Sequence, residues 1–242
     1  MGYKPIIVVA GEPNSIFLEI YFKSLRYKKF KSPIVLIASH KLIKLQMRKL
    51  NIKRKLRLIN FSDLEKYNFE NKIINLININ FYQNKAFDKI SDKSNVYIKE
   101  SFDMAIKILK NKITDKFING PISKKFFLKK KYLGITEYLA QRTKAKNFAM
   151  LIYNTNLSVC PLTTHLPLKQ VSKKIDKNLI KKKVELISVF YNKYFKKKPR
   201  IGLTGLNPHC ESIGKFNEDE KIIIPVVKSL KKSKYVLKFI GG

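Results

Sequence analysis

The sequence lacks tryptophan and has only two cysteines and nine glycines in 242 residues. Two cysteines are too few for a disulfide-framework protein. Cys160 and Cys210 are therefore interpreted as reduced thiols, which predicts a cytoplasmic protein. No uncharged apolar run approaches the roughly 18 residues that a membrane span needs. The N-terminal apolar run, residues 6–10, is too short for the core of a signal peptide. We therefore expect no membrane partner.

Several common nucleotide-binding and hydrolase motifs are also missing. The chain contains no G-x-G-x-x-G, no G-x-x-x-x-G-K-[ST] and no G-x-S-x-G, which disfavours a conventional Rossmann domain, a P-loop NTPase and a serine hydrolase with a nucleophile elbow. Gly11-Glu12-Pro13 nevertheless occupies the first strand–helix turn, where dinucleotide folds place their phosphate loop. Glu12 is either a functional carboxylate or a polar turn residue.

Negative charge and arginine are scarce. Seventeen acidic residues face 51 basic ones, for a net charge of +34, and only six of the basic residues are arginines. Nucleic-acid readers favour arginine for its bidentate fork, and the lysines are spread along the whole chain. Lys, Ile and Asn share A/T-rich codons, so genome composition can produce this bias. We interpret the charge as a solvated lysine-rich surface that attracts anionic small molecules, and a nucleic-acid partner as the less favoured alternative.

Short β-rich runs alternate with amphipathic stretches along the chain. This alternation predicts an α/β fold with a mostly parallel sheet and some antiparallel pairing. We expect two α/β subdomains, residues 1–130 and 131–242, the second incomplete because an apolar strand runs directly into the final Gly-Gly. The predicted strands are 6–10, 34–39, 56–60, 73–79, 117–119, 148–153, 157–164, 199–206 and 235–240. Of these, 148–153 and 157–164 are expected to form a hairpin. The predicted helices are 15–26, 40–50, 101–111, 136–142, 178–195 and 218–231, and the last is expected to be kinked at Pro225.

The three histidines each follow a predicted strand. Because ligands bind at the carboxyl ends of strands in open α/β sheets, His40, His165 and His209 are all candidate ligands of a divalent metal. Cys210, beside His209, is an unfavourable fourth ligand, since adjacent side chains rarely reach one metal together. Cys160 lies within a predicted strand and is interpreted as a small core residue. Thr136 opens a predicted helix, either as its N-cap or facing a ligand there.

Five segments carry a family resemblance through their order and spacing. They are Gly11-Glu12-Pro13, Gly120-Pro121-Ile122-Ser123-Lys124, Gly134-Ile135-Thr136-Glu137-Tyr138-Leu139, Thr163-Thr164-His165-Leu166-Pro167-Leu168 and Gly205-Leu206-Asn207-Pro208-His209. Together they resemble the 4-hydroxythreonine-4-phosphate dehydrogenase family of pyridoxal phosphate biosynthesis, whose chains are longer than this one.

The resemblance implies an isocitrate/isopropylmalate-dehydrogenase-like homodimer with an active-site cleft between two subdomains. It implies NAD and a divalent metal (Zn, Co, Mn or Mg) as cofactors, the metal held by His165, His209 and a third histidine from a later segment that this chain lacks. Thr136 matches a substrate-binding threonine, whereas Ile135 replaces a histidine that contacts substrate in the family. Most cofactor contacts are expected in the missing part, and the 242 residues alone are expected to be inactive.

The implied reaction is oxidation of 4-phosphooxy-L-threonine to 2-amino-3-oxo-4-phosphooxybutanoate. This β-keto acid then decarboxylates to 3-amino-2-oxopropyl phosphate. Related dehydrogenases acting on other phosphorylated hydroxy acids or on dihydrodiol carboxylates are the alternatives within the family. A basic, non-catalytic nucleic-acid-binding protein is the alternative from another class.

Overall fold

The chain forms two compact units, Met1–Tyr138 and Leu139–Gly242. The computed structural model describes residues 3–27, 29–65, 69–207, 216–232 and 235–241. The subdomain boundary expected between residues 130 and 131 falls shortly before the division between the units. His209 and Cys210, two residues of the sequence-based site predictions, lie outside the described ranges.

A parallel sheet of five strands forms the centre of the first unit as far as it is described. The central strand β2 is the apolar run Ile-Val-Leu-Ile-Ala, and all five of its residues are buried. Such unbroken apolar runs are typical of parallel strands that are covered on both faces. The strands are β1 (Ile6–Val9), β2 (Ile34–Ala38), β3 (Leu56–Leu58), β4 (Ile74–Asn78) and β5 (Phe117–Asn119), in the spatial order β3-β4-β2-β1-β5.

Amphipathic helices connect most of these strands, and a further helix follows β5. The apolar positions of α1 recur at helical spacing, so Leu18, Tyr21, Phe22 and Leu25 are all buried. In α2, the Ser39 side chain caps the first turn by accepting a hydrogen bond from the Leu42 backbone N–H. The helices are α1 (Phe17–Tyr27), α2 (His40–Lys49), α3 (Asn95–Lys110) and α4 (Ile135–Thr143).

In its described ranges, the second unit packs three helices and a pair of parallel strands around its own core. Ile180, Val184, Val226, Val227 and Leu237 belong to this core, and β6 pairs with β7 from Arg200 to Thr204. The elements are α5 (Leu168–Lys174), α6 (Lys177–Phe195), β6 (Arg200–Thr204), α7 (Ile224–Lys231) and β7 (Val236–Ile240).

The α/β class and the mostly parallel sheet predicted from the sequence are confirmed. The kink expected at Pro225 takes another form: a π-helical turn, Asp219–Ile223, precedes α7, and Pro225 lies in the first turn of that helix. The helical run is continuous across this point, and the π-helical turn changes the hydrogen-bond spacing just before the residue that lacks an N–H. None of the helices in the described ranges is long and apolar enough to cross a membrane.

The two strands predicted at 148–153 and 157–164 are wrong, but the antiparallel pairing expected between these segments occurs at one position. Only one antiparallel bridge, Ile152–Val159, forms there in place of two strands. Both residues are exposed, so no buried face holds the two segments in register. Cys160 consequently lies outside any strand and is half-buried, not in the core.

Candidate active site

The carboxyl edge of the first sheet contains the point at which the strand order reverses. Strand β1 pairs with β2 on one side and with β5 on the other, and the chain reaches β5 only after building β2, β3 and β4. In open α/β sheets ligands bind outside the carboxyl ends of the strands at such a switch point. The loops after β1 and β5, which begin at Ala10 and Gly120, are therefore a candidate ligand site.

Two glycines bring these loops into direct contact. Gly11 has φ +73°, and a Cβ there would overlap the carbonyl oxygen of Pro121. A Cβ on Gly120 would overlap the carbonyl oxygen of Ala10 and lie 2.9 Å from Cγ of Phe17. The backbone N–H of Glu12 donates a hydrogen bond to the Pro121 carbonyl oxygen at 2.8 Å. Only glycine permits this approach, so both Gly11 and Gly120 are needed for local structure.

Glu12 is a buried carboxylate and not a solvated turn residue. Its side chain is 3% exposed, and it accepts hydrogen bonds from the Ser94 hydroxyl (3.0 Å) and from the Asn14 backbone N–H (3.3 Å). Burial raises the pKa of Glu12, and the hydrogen bonds from Asn14 and Ser94 oppose that rise by stabilising the charged form. The carboxylate thereby ties the first loop to Ser94, directly before α3.

A recess of about 560 Å³ lies beside this carboxylate, between Asn14 and the loop of residues 79–94 that joins β4 to α3. The Asn14 side chain holds that loop in place. Its Oδ1 accepts hydrogen bonds from the side-chain amide of Gln83 (3.1 Å) and from the backbone N–H of Asp88 (2.9 Å). We call this cavity the β4–α3 recess.

The lining of the recess carries more positive than negative charge. Lys85, Lys89 and Lys93 line it, opposed by the single carboxylate of Asp88. Ammonium groups and side-chain amides around a cavity at a ligand-binding sheet edge suit an anion such as a phosphate or a carboxylate. Sequence reasoning missed the recess because the 79–94 loop has no periodic pattern and is ordered by Asn14, which is distant in the sequence.

The Thr136 segment lies at the start of α4. The helix begins at Ile135, so Thr136 is within the first turn and the N-cap interpretation is wrong. Both residues are half-buried. The Ile135 side chain offers no hydrogen-bond donor, whereas the Thr136 hydroxyl can donate and accept.

His165 is exposed, in the loop that precedes α5. It does not directly follow a strand as predicted, because only the bridge at Val159 forms there. Its φ of +56° is uncommon for a residue with a side chain, and such conformations concentrate at ligand sites. The described residues contain no group of three or more His, Cys, Asp or Glu side chains that could hold a metal. Since His209 is not described, the predicted metal site stays a prediction.

His40 shows a different environment from His165. It is the first residue of α2 and is half-buried. Its backbone N–H donates to Oδ1 of Asn78 at 2.8 Å. Burial, and then the charge of Lys44, lower the pKa of His40.

Comparison with known proteins adds a family and a fold. The family model "Pyridoxal phosphate biosynthetic protein PdxA" matches residues 29–241. A 4-hydroxythreonine-4-phosphate dehydrogenase from Sulfurihydrogenibium sp. is 34% identical over 235 residues, covering 93% of this chain and 70% of the relative. A D-threonate 4-phosphate dehydrogenase from Cupriavidus necator is 26% identical, covering 95% and 71%. The crystal structure of 4-hydroxythreonine-4-phosphate dehydrogenase from Klebsiella pneumoniae superposes with a TM-score of 0.83 at 24% identity, covering 97% of this chain and 74% of that one.

Proposed function

The chain belongs to the PdxA family of pyridoxal phosphate biosynthetic proteins, and we propose that it is a 4-hydroxythreonine-4-phosphate dehydrogenase. The observation that carries the proposal is the 34% identity, over 93% of the chain, to a relative of that name. The proposed reaction oxidises the C3 hydroxyl of 4-phosphooxy-L-threonine. The product, 2-amino-3-oxo-4-phosphooxybutanoate, loses CO₂ to give 3-amino-2-oxopropyl phosphate.

His165 fits the role of a metal ligand. An exposed imidazole is accessible to a cation, and the uncommon backbone conformation of His165 is of the kind that concentrates at ligand sites. We propose that His165 and His209 hold a divalent ion, with imidazole suiting Zn²⁺, Co²⁺ or Mn²⁺ and Mg²⁺ as a further candidate. When bound, such an ion supplies Lewis-acid polarisation of the substrate hydroxyl, and bound NAD supplies the hydride acceptor.

The first unit contributes groups suited to a phosphorylated, carboxylated substrate. The hydroxyl of Thr136, in the first turn of α4, can hydrogen-bond a substrate oxygen, and the positive end of the helix dipole favours negative charge there. The lysines of the β4–α3 recess add positive potential at the sheet edge. We propose that these groups orient the substrate, while Glu12 holds the loops of the site in place.

A D-threonate 4-phosphate dehydrogenase is the second candidate. Two observations favour it: a relative of that name matches 95% of the chain, and Ile135 provides no donor or acceptor where the family resemblance leads us to expect a histidine. The two substrates differ at C2, which carries an amino group in one and a hydroxyl in the other.

The two activities are separated by one steady-state comparison. Protein produced from the native gene is assayed for NADH formation with each substrate, in the presence of Zn²⁺, Co²⁺, Mn²⁺ or Mg²⁺ and again after chelation. We expect the higher kcat/KM with 4-phosphooxy-L-threonine and loss of activity on chelation. A higher kcat/KM with D-threonate 4-phosphate would replace the first proposal by the second, and no turnover of either substrate would contradict both.

A further inference from the structure

One segment of the first unit contains most of the arginines of the chain and no carboxylate. Residues 20–62 contain no aspartate or glutamate, but they contain thirteen lysines and arginines, including four of the six arginines in the chain. A/T-rich codon usage accounts for abundant lysine. It does not account for the clustering of four of the six arginines within 43 consecutive residues.

The structure folds part of this segment into a groove of about 880 Å³. One wall is a face of α2, on which His40, Lys44, Met47 and Arg48 recur at helical spacing, and the other is the connection of residues 51–56 that leads into β3. We call this cavity the basic groove. It lies at the β3 edge of the sheet, and β4 and β2 separate β3 from β1, so the groove is distinct from the β1–β5 switch point.

The basic groove combines an apolar floor with cationic walls. Met47 is 7% exposed, and Ile52 and Leu56 are partly buried against the core. Four exposed cations surround this floor, and no carboxylate lines it: the cations are Lys44, Arg48, Lys53 and Lys55. In the described part of the chain, the two ion pairs, Lys23–Glu19 and Lys99–Asp103, both lie elsewhere.

The walls of the groove are held by hydrogen bonds that leave these cations available. Beyond α2, Asn51 adopts φ +53°, and the backbone N–H of Ile52 donates to the Met47 carbonyl oxygen at 2.9 Å. The Arg54 guanidinium donates to the carbonyl oxygens of Leu25 (2.7 Å) and Asn71 (3.2 Å), which anchors the connection. The α2 dipole accounts for a cation such as Arg48 in its last turn, but not for Lys53 and Lys55 beyond it.

We propose that the basic groove binds a nucleoside polyphosphate, with the base on the apolar floor and the phosphates between the four exposed cations. The groove has the size of a small-molecule site. The negative charges of a triphosphate are opposite in sign to the four cations and similar to them in number. An aromatic base that covers the partly exposed apolar side chains removes apolar surface from water, which favours binding. This assignment is independent of the proposed dehydrogenase activity, because it uses none of the residues assigned to that reaction.

The experiment measures ATP binding to the whole protein by isothermal titration calorimetry. The test variant is Arg48→Gln/Lys53→Gln/Lys55→Gln. The control, Lys221→Gln/Lys228→Gln/Lys231→Gln, removes the same charge from exposed positions of the second unit. We expect the groove variant to weaken ATP binding about tenfold or more, because charge-assisted hydrogen bonds are lost, and the control to weaken it less than about twofold. Equal weakening by both variants would overturn the proposal.

Binding of different ligands to the unaltered protein tests the cationic walls and the apolar floor of the basic groove separately. We expect ATP to bind more tightly than inorganic tripolyphosphate, and adenosine not to bind. ATP should also shift the imidazole NMR signal of His40, which lines the groove, and leave that of His165 unchanged. Equal affinity for tripolyphosphate and ATP would show that no base is bound, which contradicts the proposal.

Two further outcomes would replace the proposed ligand. Tighter binding of a single-stranded RNA 15-mer than of ATP, with a steep salt dependence, would make the groove part of a nucleic-acid surface. If NAD displaces bound ATP and binds the groove more tightly than ATP does, the groove would be reassigned to the dehydrogenase cofactor. Neither outcome depends on whether 4-phosphooxy-L-threonine is oxidised, so this proposal and the proposed function can fail separately.

Discussion

At the scale of single residues, buried polar groups and close backbone contacts dominate the candidate site. Glu12 is the clearest case, because a carboxylate that is 3% exposed must be satisfied inside the protein. Its partners come from the same turn and from Ser94, so its replacement affects two loops together.

The first prediction concerns the pH dependence of stability. Because burial raises the pKa of Glu12 in the folded protein, the folded state keeps the proton to higher pH than the unfolded chain does. The contribution of this group to the free energy of unfolding is fully present below the unfolded pKa of about 4.3 and is lost as pH rises through the folded pKa. Urea unfolding at a series of pH values should show this fall in the native protein, and Glu12→Gln should reduce it. An identical pH profile in the variant would contradict the assignment.

The second prediction concerns the glycine contact between the first and fifth strands. Gly120→Ala should lower the free energy of unfolding by about 2–3 kcal/mol, because the new methyl group overlaps rigid backbone at Ala10. Gly202→Ala is the control, since its Cβ would meet the terminal carbon of the Ile240 side chain, which can rotate away. Denaturant unfolding of the two variants is the measurement, and a larger loss at Gly202 would refute the argument.

The third prediction tests His165 as a metal ligand. Because His165 is exposed, His165→Ala should leave the free energy of unfolding of the metal-free protein nearly unchanged. It should lower metal content and reduce kcat/KM on the order of a hundredfold or more, since loss of an outer-shell partner alone costs up to that amount. Elemental analysis and NADH formation are the measurements, and His40→Ala is the control for loss of an imidazole. Undiminished metal content in His165→Ala would exclude His165 as a ligand.

At the scale of elements, most helices and strands follow from local sequence pattern. Strand β5 is predicted with its observed bounds, residues 117–119, and α6 differs from the predicted helix 178–195 by one residue at its start. The helix predicted at 101–111 begins earlier, at Asn95, and its added turn buries Tyr97 and Ile98 on the same face as Phe102. The strands predicted at 148–153 and 157–164 pair only at Ile152 and Val159, because an extended strand needs a partner surface, which local pattern does not report.

The start of α6 offers a prediction at this scale. Oδ1 of Asp176 accepts hydrogen bonds from the backbone N–H groups of Asn178 (2.8 Å) and Leu179 (2.9 Å). Asp176→Ala should lower the free energy of unfolding by about 1 kcal/mol, because both N–H groups lose this partner. Asp176→Asn keeps a capping oxygen and should cost much less. Thermal unfolding monitored by circular dichroism would show the difference, and equal losses would rule out capping as the cause.

At the scale of the whole molecule, we propose that an exposed apolar surface of the second unit is the interface of the homodimer that the family resemblance implies. In the second unit, Tyr153 stacks on Phe195 with ring centroids 5.1 Å apart, and Phe190 contacts Tyr194 at 4.9 Å. Several large apolar residues of this surface remain exposed: Ile152, Tyr153, Leu157, Val159, Val189, Phe190 and Tyr194. Contiguous exposed apolar surface is typical of interfaces.

The prediction at this scale is that Val189→Glu weakens the dimer. A buried, unpaired carboxylate at an interface is strongly unfavourable, so sedimentation velocity should show a shift toward monomer at the same protein concentration. Lys181→Glu places a new carboxylate elsewhere on α6 and should leave the dimer intact. A native protein that is monomeric at all concentrations would refute the dimer.

The amino-acid sequence by itself determined the α/β class, the mostly parallel sheet of the first unit and the basic surface, since these depend on apolar periodicity and composition. The family resemblance likewise rested on short segments such as Thr163–Leu168. Only the tertiary structure decided that Glu12 is buried, that Asn14 orders the 79–94 loop and that α2 and residues 51–56 enclose a groove. Each of these depends on contacts between segments distant in the chain, such as Ser94 with Glu12 and Arg54 with Leu25, and periodicity carries no information about which distant groups will meet.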